Sequence, residues 1–422
     1  MSLRIDIINH TVPTWPTDLA AIWVALGAPH NPDLLPHYFV QTSFVRMGGR
    51  VLRIADDNGL RGAALLFPRG MEGGQRVYTL RVNEAGGRER EAGSGSQGAG
   101  GQEQLFESQL LAAAADLVAP DRVVLYGPED AKTYTATHRR IGALDIGAPG
   151  AEELPAIQIM RAAIWGIAPS DQFSTDLYSA EFGPGTSLVA RANGELVGFL
   201  LGFYRFDGLD DLERAGVHAA LGIESQMMGV THRLRRAGLA ASLKRAQALA
   251  ACERGISVIH WTADPLQFPN ATLNFHKLRA VAGEFYPAFY PFQNALNRVP
   301  ASRFGITWLL STAWGRAGFA DNPHRGRGLD RFPGCVFLNN GTQILSGPHG
   351  APYIAVEIPA DWTTLQRDDL DTAAAWRTAA DTILAEVVGF TPGRYLIADV
   401  ATVGDRHFRV GHAFAPEIIT DT

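Results

Sequence analysis

The chain has 422 residues, with 37 Lys+Arg against 43 Asp+Glu for a net charge of −6, and 46% of it is hydrophobic. At about 100–200 residues per domain that length holds two to four cores. The mild acidity gives no electrostatic footprint for nucleic acid or an anionic membrane. No apolar run nears the roughly 18 residues that a bilayer span needs, and the opening segment Met1–His10 lacks the charged-then-apolar shape of a signal peptide. Cys252 and Cys335 form neither a disulfide framework nor a metal pattern, so a cytoplasmic protein with no metal site is expected.

In chain order, Asp18–Trp23 is apolar at helical spacing and is echoed 142 residues later by Met160–Trp165. Each is followed by an Asn-Gly pair between strand-like runs. Asn58-Gly59 lies between 49–57 and Gly62–Phe67, and Asn193-Gly194 between Ser187–Ala192 and Val197–Phe203. Asn-Gly tolerates positive φ at both turn positions, so two β-hairpins are predicted. Next in the first copy come a strand at Arg76–Val82, a helix at Leu105–Val118, a strand at Arg122–Tyr126 and a helix ending near Ile141-Gly142. The second copy repeats the order with a strand at Ser225–Val230, a helix at Ala240–Glu253, a strand at Ile256–Thr262 and a helix at Ala271–Val281. The tail carries strands at Tyr353–Pro359 and Arg394–Val400 and an amphipathic helix at Asp368–Val388. Expected, therefore, are two copies of one α/β unit, 1–146 and 147–310, each a mixed central sheet flanked by helices. A C-terminal α+β extension, 311–422, packs on the second.

The low-complexity stretch Ala85–Gln104 contains Gly93-Ser-Gly-Ser-Gln-Gly98, a match to the dinucleotide-binding string. That fingerprint needs a strand directly before it and a helix opening at its last glycine. Here the strand ends some ten residues earlier, and a flexible loop is expected.

The segment that carries chemistry is Glu224–Ala246. A strand runs into Arg235-Arg-Ala-Gly238-Leu-Ala240, which opens a helix. The exposed N–H groups and dipole of a helix N-terminus suit a diphosphate. Gly238 and Ala240 keep side chains out of its way, and Arg235 and Arg236 add guanidinium charge at the rim. Arg235, Gly238 and Ala240 match Arg/Gln-x-x-Gly-x-Gly/Ala, and here the sequence resembles the GNAT superfamily of acyl-CoA-dependent N-acyltransferases. The runs Trp261–Gln267, Asn270–Leu278, Val356–Asp361 and Ala375–Arg377 resemble a less studied predicted-acyltransferase subfamily with a C-terminal extension, so the likeness covers about 150–420. It implies tandem GNAT folds, the first degenerate, because Ala85–Gln104 lacks the diphosphate motif.

The resemblance also implies roles. Met228 and Val230 would pair through their backbone with the pantetheine arm of acetyl-CoA or another acyl-CoA. Arg235, Arg236, Ala237, Gly238, Leu239, Ala240 and Ala241 would hold its diphosphate, with Asn270 as a second contact or a helix cap. Glu224 stands where such enzymes place a general base; the alternative is a solvated strand end. The family's thiolate acid is a Tyr, but the matching position here holds Phe275, so Tyr286 or Tyr290 is expected to serve, or no protein acid at all. His232 is expected to be exposed, His260 and His276 to be structural, and Asp264 to orient an amine or cap a turn. The implied activity is transfer of an acetyl, succinyl or other acyl group to a small-molecule amine or amino acid. Oligomeric state is left open, a homodimer included. The alternatives are a non-catalytic acyl-CoA sensor and, on Gly93–Gly98, a nicotinamide-dependent oxidoreductase.

Overall fold

The computed structural model describes residues 3–84, 100–126, 139–166, 173–183, 185–214, 216–234, 238–291, 293–294, 297–320, 326–345 and 347–415. The fold is mixed α/β and divides into two compact units. One comprises 1–138, 147–187 and 201–208; the other comprises 139–146, 188–200 and 209–422. Arg235, Arg236 and Ala237, and the Gly93–Gly98 string, lie outside the described residues.

The first unit is built on a five-stranded sheet, in spatial order β1 (Arg4–Ile7), β2 (Arg50–Asp56), β3 (Gly59–Glu72), β4 (Gln75–Glu84) and β5 (Arg122–Leu125). The hairpin expected around Asn58-Gly59 forms, but Asp56 pairs with Gly59, so the two turn residues are Asp57 and Asn58, and Gly59 (φ +120°) opens β3. Its helices are α1 (Trp15–Ala25), the single turn α2 (His37–Phe39), α3 (Gly100–Val118) and α4 (Leu154–Trp165). β5 returns parallel to β4 after α3, registered from Val77↔Arg122 to Leu80↔Leu125. Aromatic rings fill the core. Phe39 packs on Phe173, Phe44 on Phe67 and Phe67 on Phe182, each pair with centroids 4.8 Å apart in edge-to-face geometry.

The second unit carries a twelve-stranded sheet. It starts from the hairpin β6 (Arg139–Ile141) and β7 (Leu144–Gly147), then β8 (Leu188–Ala192), β9 (Glu195–Arg205), β10 (Gly222–Val230) and β11 (Val258–Ala263). The next pair in the sheet, β12 (Val281–Tyr290) and β13 (Ala301–Leu309), lies with β13 against β11. Of the remaining strands, β14 (Cys335–Phe337), β17 (Tyr353–Ile358), β18 (Tyr395–Val403) and β19 (Arg406–Ala413) extend the sheet, β18 joining β12 at Ala282↔Ile397. β15 (Asn339–Asn340) and β16 (Gln343–Ile344) form a separate pair. The helices are α5 (Asp210–Arg214), α6 (Leu239–Cys252), α7 (Phe268–Ala271), α8 (Ala313–Arg316), α9 (Trp362–Asp368) and α10 (Leu370–Val387). Leu239, Leu243 and Ala246 of α6 bury against Ile146, Leu188, Ala190, Val197 and Leu200. At about 25 cal/mol per Å² of apolar surface, this face is what holds α6 to the sheet.

Two expected helices differ from the structure. Of the one expected to end near Ile141-Gly142 only the end is described, and there Arg139–Ile141 is a strand that turns at Gly142 (φ +63°) and pairs back, Ile141 against Leu144. A helix there would forgo the burial of Ile146, which is 1% exposed. The helix expected over Ala271–Val281 ends at Lys277, where Arg279 adopts a left-handed φ of +56°. The β-branched and aromatic run from Val281 then enters the sheet as β12.

Candidate active site

β10 and β11 run parallel, and their register is Ile223↔Ile259 and Glu224↔His260. Among the described residues no further β10–β11 pair follows, although β10 continues for six residues to Val230. A pair of parallel strands that parts in this way exposes the backbone N–H and C=O groups of β10 along a wedge. Such groups need partners, and an extended chain can supply them. Met228 and Val230 lie on this stretch, their side chains packed against the α6 core.

Beyond the wedge, α6 opens at Gly238, whose φ of +86° and ψ of −6° are left-handed. A Cβ at Gly238 would touch nothing within 4 Å, so the glycine answers a backbone need rather than a lack of space. The N–H groups of Leu239, Ala240 and Ala241 belong to the first turn of α6, where a helix has no internal acceptors for its donors. The turn contains no acidic side chain, which leaves its positive dipole end uncompensated by the helix itself. Close approach also governs Gly198 on β9: a Cβ there would lie 3.1 Å from the Gly229 carbonyl and 3.3 Å from Leu239 and Leu243.

Glu224 is 3% exposed and stands at the last paired position before the strands part. Its Oε2 lies 2.8 Å from His260 Nδ1. The other ring nitrogen, Nε2, lies 3.0 Å from Glu284 Oε2. Tyr286 Oη donates to Glu284 Oε1 at 2.5 Å. Glu224, His260, Glu284 and Tyr286 thus form one hydrogen-bonded row, and Gly305 on β13 makes room for it. A Cβ there would sit 2.5 Å from Glu284 Oε2 and 3.0 Å from His260 Nε2. Lys244 on α6 acts electrostatically on Glu224 and places its Nζ 3.7 Å from the centroid of the Trp261 ring. Burial draws its ammonium down to about 7, against the attraction of Glu224.

The other expected residues divide. Tyr290 approaches Thr262 Oγ1 at 3.4 Å and has the Arg303 guanidinium 5.0 Å from its ring centroid. Phe275 is 1% exposed and packs edge-on to Phe304, so the position where the sequence resemblance would put a tyrosine is core here. Asn270 is exposed on the short α7. His232 is exposed. Asp264 accepts from the Leu266 N–H at 2.9 Å and binds Arg377 and the Trp362 indole; it caps its turn and anchors the tail. Glu284 was not singled out by any motif, and His260 reads from sequence as a structural residue. The alternation that puts Glu284 and Tyr286 on one face of β12 is the signal that would have found them, had the segment been read as a strand. Among the described residues no group of three or more His, Cys, Asp or Glu side chains is placed to hold a metal ion. In the row above, the two carboxylates take opposite nitrogens of one ring. Among the described residues no helix is long and apolar enough to cross a membrane.

No protein-family model matches the chain. No curated protein matches it either. Among solved structures it is similar to Naa50 of Arabidopsis thaliana in complex with the bisubstrate analogue CoA-Ac-MVNAL, with 11% identity over 39% of this chain and 97% of that one and a TM-score of 0.30. It is also similar to the ribosomal-protein-S18-alanine N-acetyltransferase from Escherichia coli, with 15% identity over 40% and 96% and a TM-score of 0.31. A third is Arabidopsis thaliana NAA60 in complex with acetyl-CoA, with 14% identity over 39% and 99% and a TM-score of 0.32.

Proposed function

We propose that the second unit is a GNAT-type acyltransferase that takes acetyl-CoA or another acyl-CoA and passes the acyl group to the amine of a small molecule or amino acid. The observation that carries this is the parting of β10 from β11 after Glu224↔His260, followed by a helix that opens at a left-handed glycine. The wedge offers strand-like hydrogen bonds at Met228 and Val230 to a pantetheine arm. The N–H groups of Gly238, Leu239, Ala240 and Ala241 face the diphosphate, and by the resemblance of the sequence Arg235, Arg236 and Ala237 bind it as well. Asn270, exposed on α7, is a second contact for the nucleotide end.

The thioester supplies an activated carbonyl carbon; the chain supplies position and a proton acceptor. An amine attacks that carbon, the C–N bond forms, the C–S bond breaks, and Glu224 takes the proton the amine must lose. The departing thiolate takes a proton from Tyr286, from Tyr290 or from water. The fixed Glu224 at the mouth of the wedge is what turns a binding site into a catalytic one. Free thiols at Cys252 and Cys335 agree with a reducing, cytoplasmic setting. In the same proposal the first unit, which repeats the hairpin, strand, helix and parallel-strand order, is a degenerate copy of this fold. No nucleic acid or membrane partner is invoked.

One observation favours a second reading, an acyl-CoA sensor without turnover: Phe275 occupies the family's tyrosine position and is buried. Thermal unfolding with coenzyme A, acetyl-CoA, succinyl-CoA and NADPH, repeated on Arg235→Ala, tests the site. At about 100 times its dissociation constant a ligand adds about 2.7 kcal/mol, or roughly 5–10 °C for a unit of this size. A shift with CoA species that Arg235→Ala abolishes is expected; none, or one with NADPH alone, sinks the proposal. Thiol release with an amine panel then separates enzyme from sensor.

A further inference from the structure

The row through His260 has a proton count that can be worked out from its geometry. Each ring nitrogen faces a carboxylate oxygen, Nδ1 at 2.8 Å from Glu224 and Nε2 at 3.0 Å from Glu284. An ionised carboxylate only accepts hydrogen bonds, and a neutral imidazole has one N–H and one bare lone pair. With a neutral ring, one of the two contacts would bring two acceptors together around a side chain that is 3% exposed. One additional proton removes the conflict. An ordinary imidazole is more basic than an ordinary glutamate carboxyl by about 2 pH units. The ring is therefore where the proton rests.

The remaining groups around the row fit this charge count. Tyr286 donates its hydroxyl hydrogen to Glu284, so it adds no competing acceptor on that side. On β13, His260 is paired with Thr307, which is uncharged, and Gly305 fills the gap between ring and Glu284 with no side chain. Lys244 on α6 acts on Glu224 from the helix side.

We propose that His260 carries hydrogen on both ring nitrogens, bridging Glu224 and Glu284, and is the positioning residue that keeps the Glu224 carboxylate ionised and aimed at the wedge. Glu284 is its counter-charge, 19% exposed at the outer end of the row. The second half of this statement rests on the acyltransferase reading; the first half stands on geometry alone. Without the ring, the Glu224 carboxylate loses the positive group 2.8 Å from its Oε2 and takes up a proton more readily. The acid limb of the kcat/KM profile then moves to higher pH, on the order of one pH unit for loss of an opposite charge in contact.

The test uses the full chain labelled with 15N-histidine. Two ring N–H correlations that vanish in His260→Gln, both present at neutral pH, are expected. One N–H and one bare nitrogen would overturn the bridge. In turnover assays, His260→Gln and Glu284→Gln are expected to lower kcat about tenfold, below the 10²–10⁴-fold worth of a general base itself. Both variants should shift the acid limb upward while the CoA-induced thermal shift stays at its wild-type size. An unmoved acid limb in both variants overturns the positioning role even where both N–H signals are seen. Absence of CoA binding and turnover in the wild type would instead remove the acyltransferase reading, and the N–H count would still decide the bridge.

Discussion

Arg377 Nη2 reaches both carboxylate oxygens of Asp264, at 3.0 and 2.9 Å, across 113 residues of chain. The contact ties α10 of the tail to the turn that follows β11. Burial by itself would raise the Asp264 carboxyl, but Arg377, Arg303 and the Leu266 N–H outweigh it and hold it below its ordinary value. A carboxyl lowered in the folded state contributes stability that is full above its unfolded value, 3.8, and is lost as pH falls through the lower folded value. Asp264→Asn takes the close counter-charge from a guanidinium buried at 3% side-chain exposure and leaves it the longer pair to Asp381 at 3.7 Å. A loss of about 3–5 kcal/mol at neutral pH is expected, narrowing in acid. Urea unfolding at several pH values measures it. KM for the amine should not change, because Asp264 is an anchor; a raised KM with intact stability would reassign it to the acceptor site.

Gly238→Ala places a Cβ in open space but forces alanine to hold φ at +86°. The cost in stability is expected to be about 1 kcal/mol, with Gly238→Asn milder because asparagine tolerates this region. If the turn cradles a diphosphate, any relaxation of φ turns the first N–H groups of α6 away. The CoA-induced thermal shift should then shrink by more than the drop in the unliganded melting temperature. Equal ligand shifts in wild type and Gly238→Ala would mean that the turn does not bind the cofactor.

Where the sequence was legible, local chemistry settled the structure. Asn193-Gly194, at φ +52° and +80°, makes the two-residue turn that only such a pair makes readily, and α6 begins within one residue of its expected start. Where it misled, long-range pairing decided. Val281–Tyr290 alternates only locally, at Glu284 and Tyr286, and becomes a strand because β13 on one side and β18 on the other offer it partners. That error hid Glu284 and left Tyr286 as an isolated candidate rather than the end of a row. His260 could not be told from a core histidine because both readings predict a buried ring. What separates them is the carboxylate on each side, contributed by residues 36 and 24 positions away.

Glu224→Gln tests the base directly. The amide keeps the size of the side chain and one acceptor for His260 Nδ1, so the fold and the wedge should survive. A fall in kcat on the order of 10²–10³-fold is expected, with the acyl-CoA thermal shift unchanged, since Glu224 is assigned to the amine and not to the cofactor. A variant that turns over at the wild-type rate would move the base elsewhere. One that loses CoA binding would make Glu224 part of the wedge instead.

Lys244 links the site to stability. Burial lowers its ammonium from 10.5 to about 7, opposed by Glu224, while the Trp261 face 3.7 Å away attracts the charged form. Between those two values the unfolded chain binds a proton that the folded one does not. Stability therefore rises with pH across that window: the penalty of charging Lys244 is full below about 7 and gone above 10.5. Lys244→Met removes the group that must be desolvated and keeps the bulk against Trp261. It is expected to be more stable than wild type by about 1–4 kcal/mol at pH 6, the margin closing as pH approaches the ordinary lysine range. Denaturant unfolding of both proteins from pH 6 to 10 reads the margin directly. A constant difference over that range would mean that Lys244 titrates like a solvated lysine, and that Glu224 and the indole together hold its charge through the neutral range.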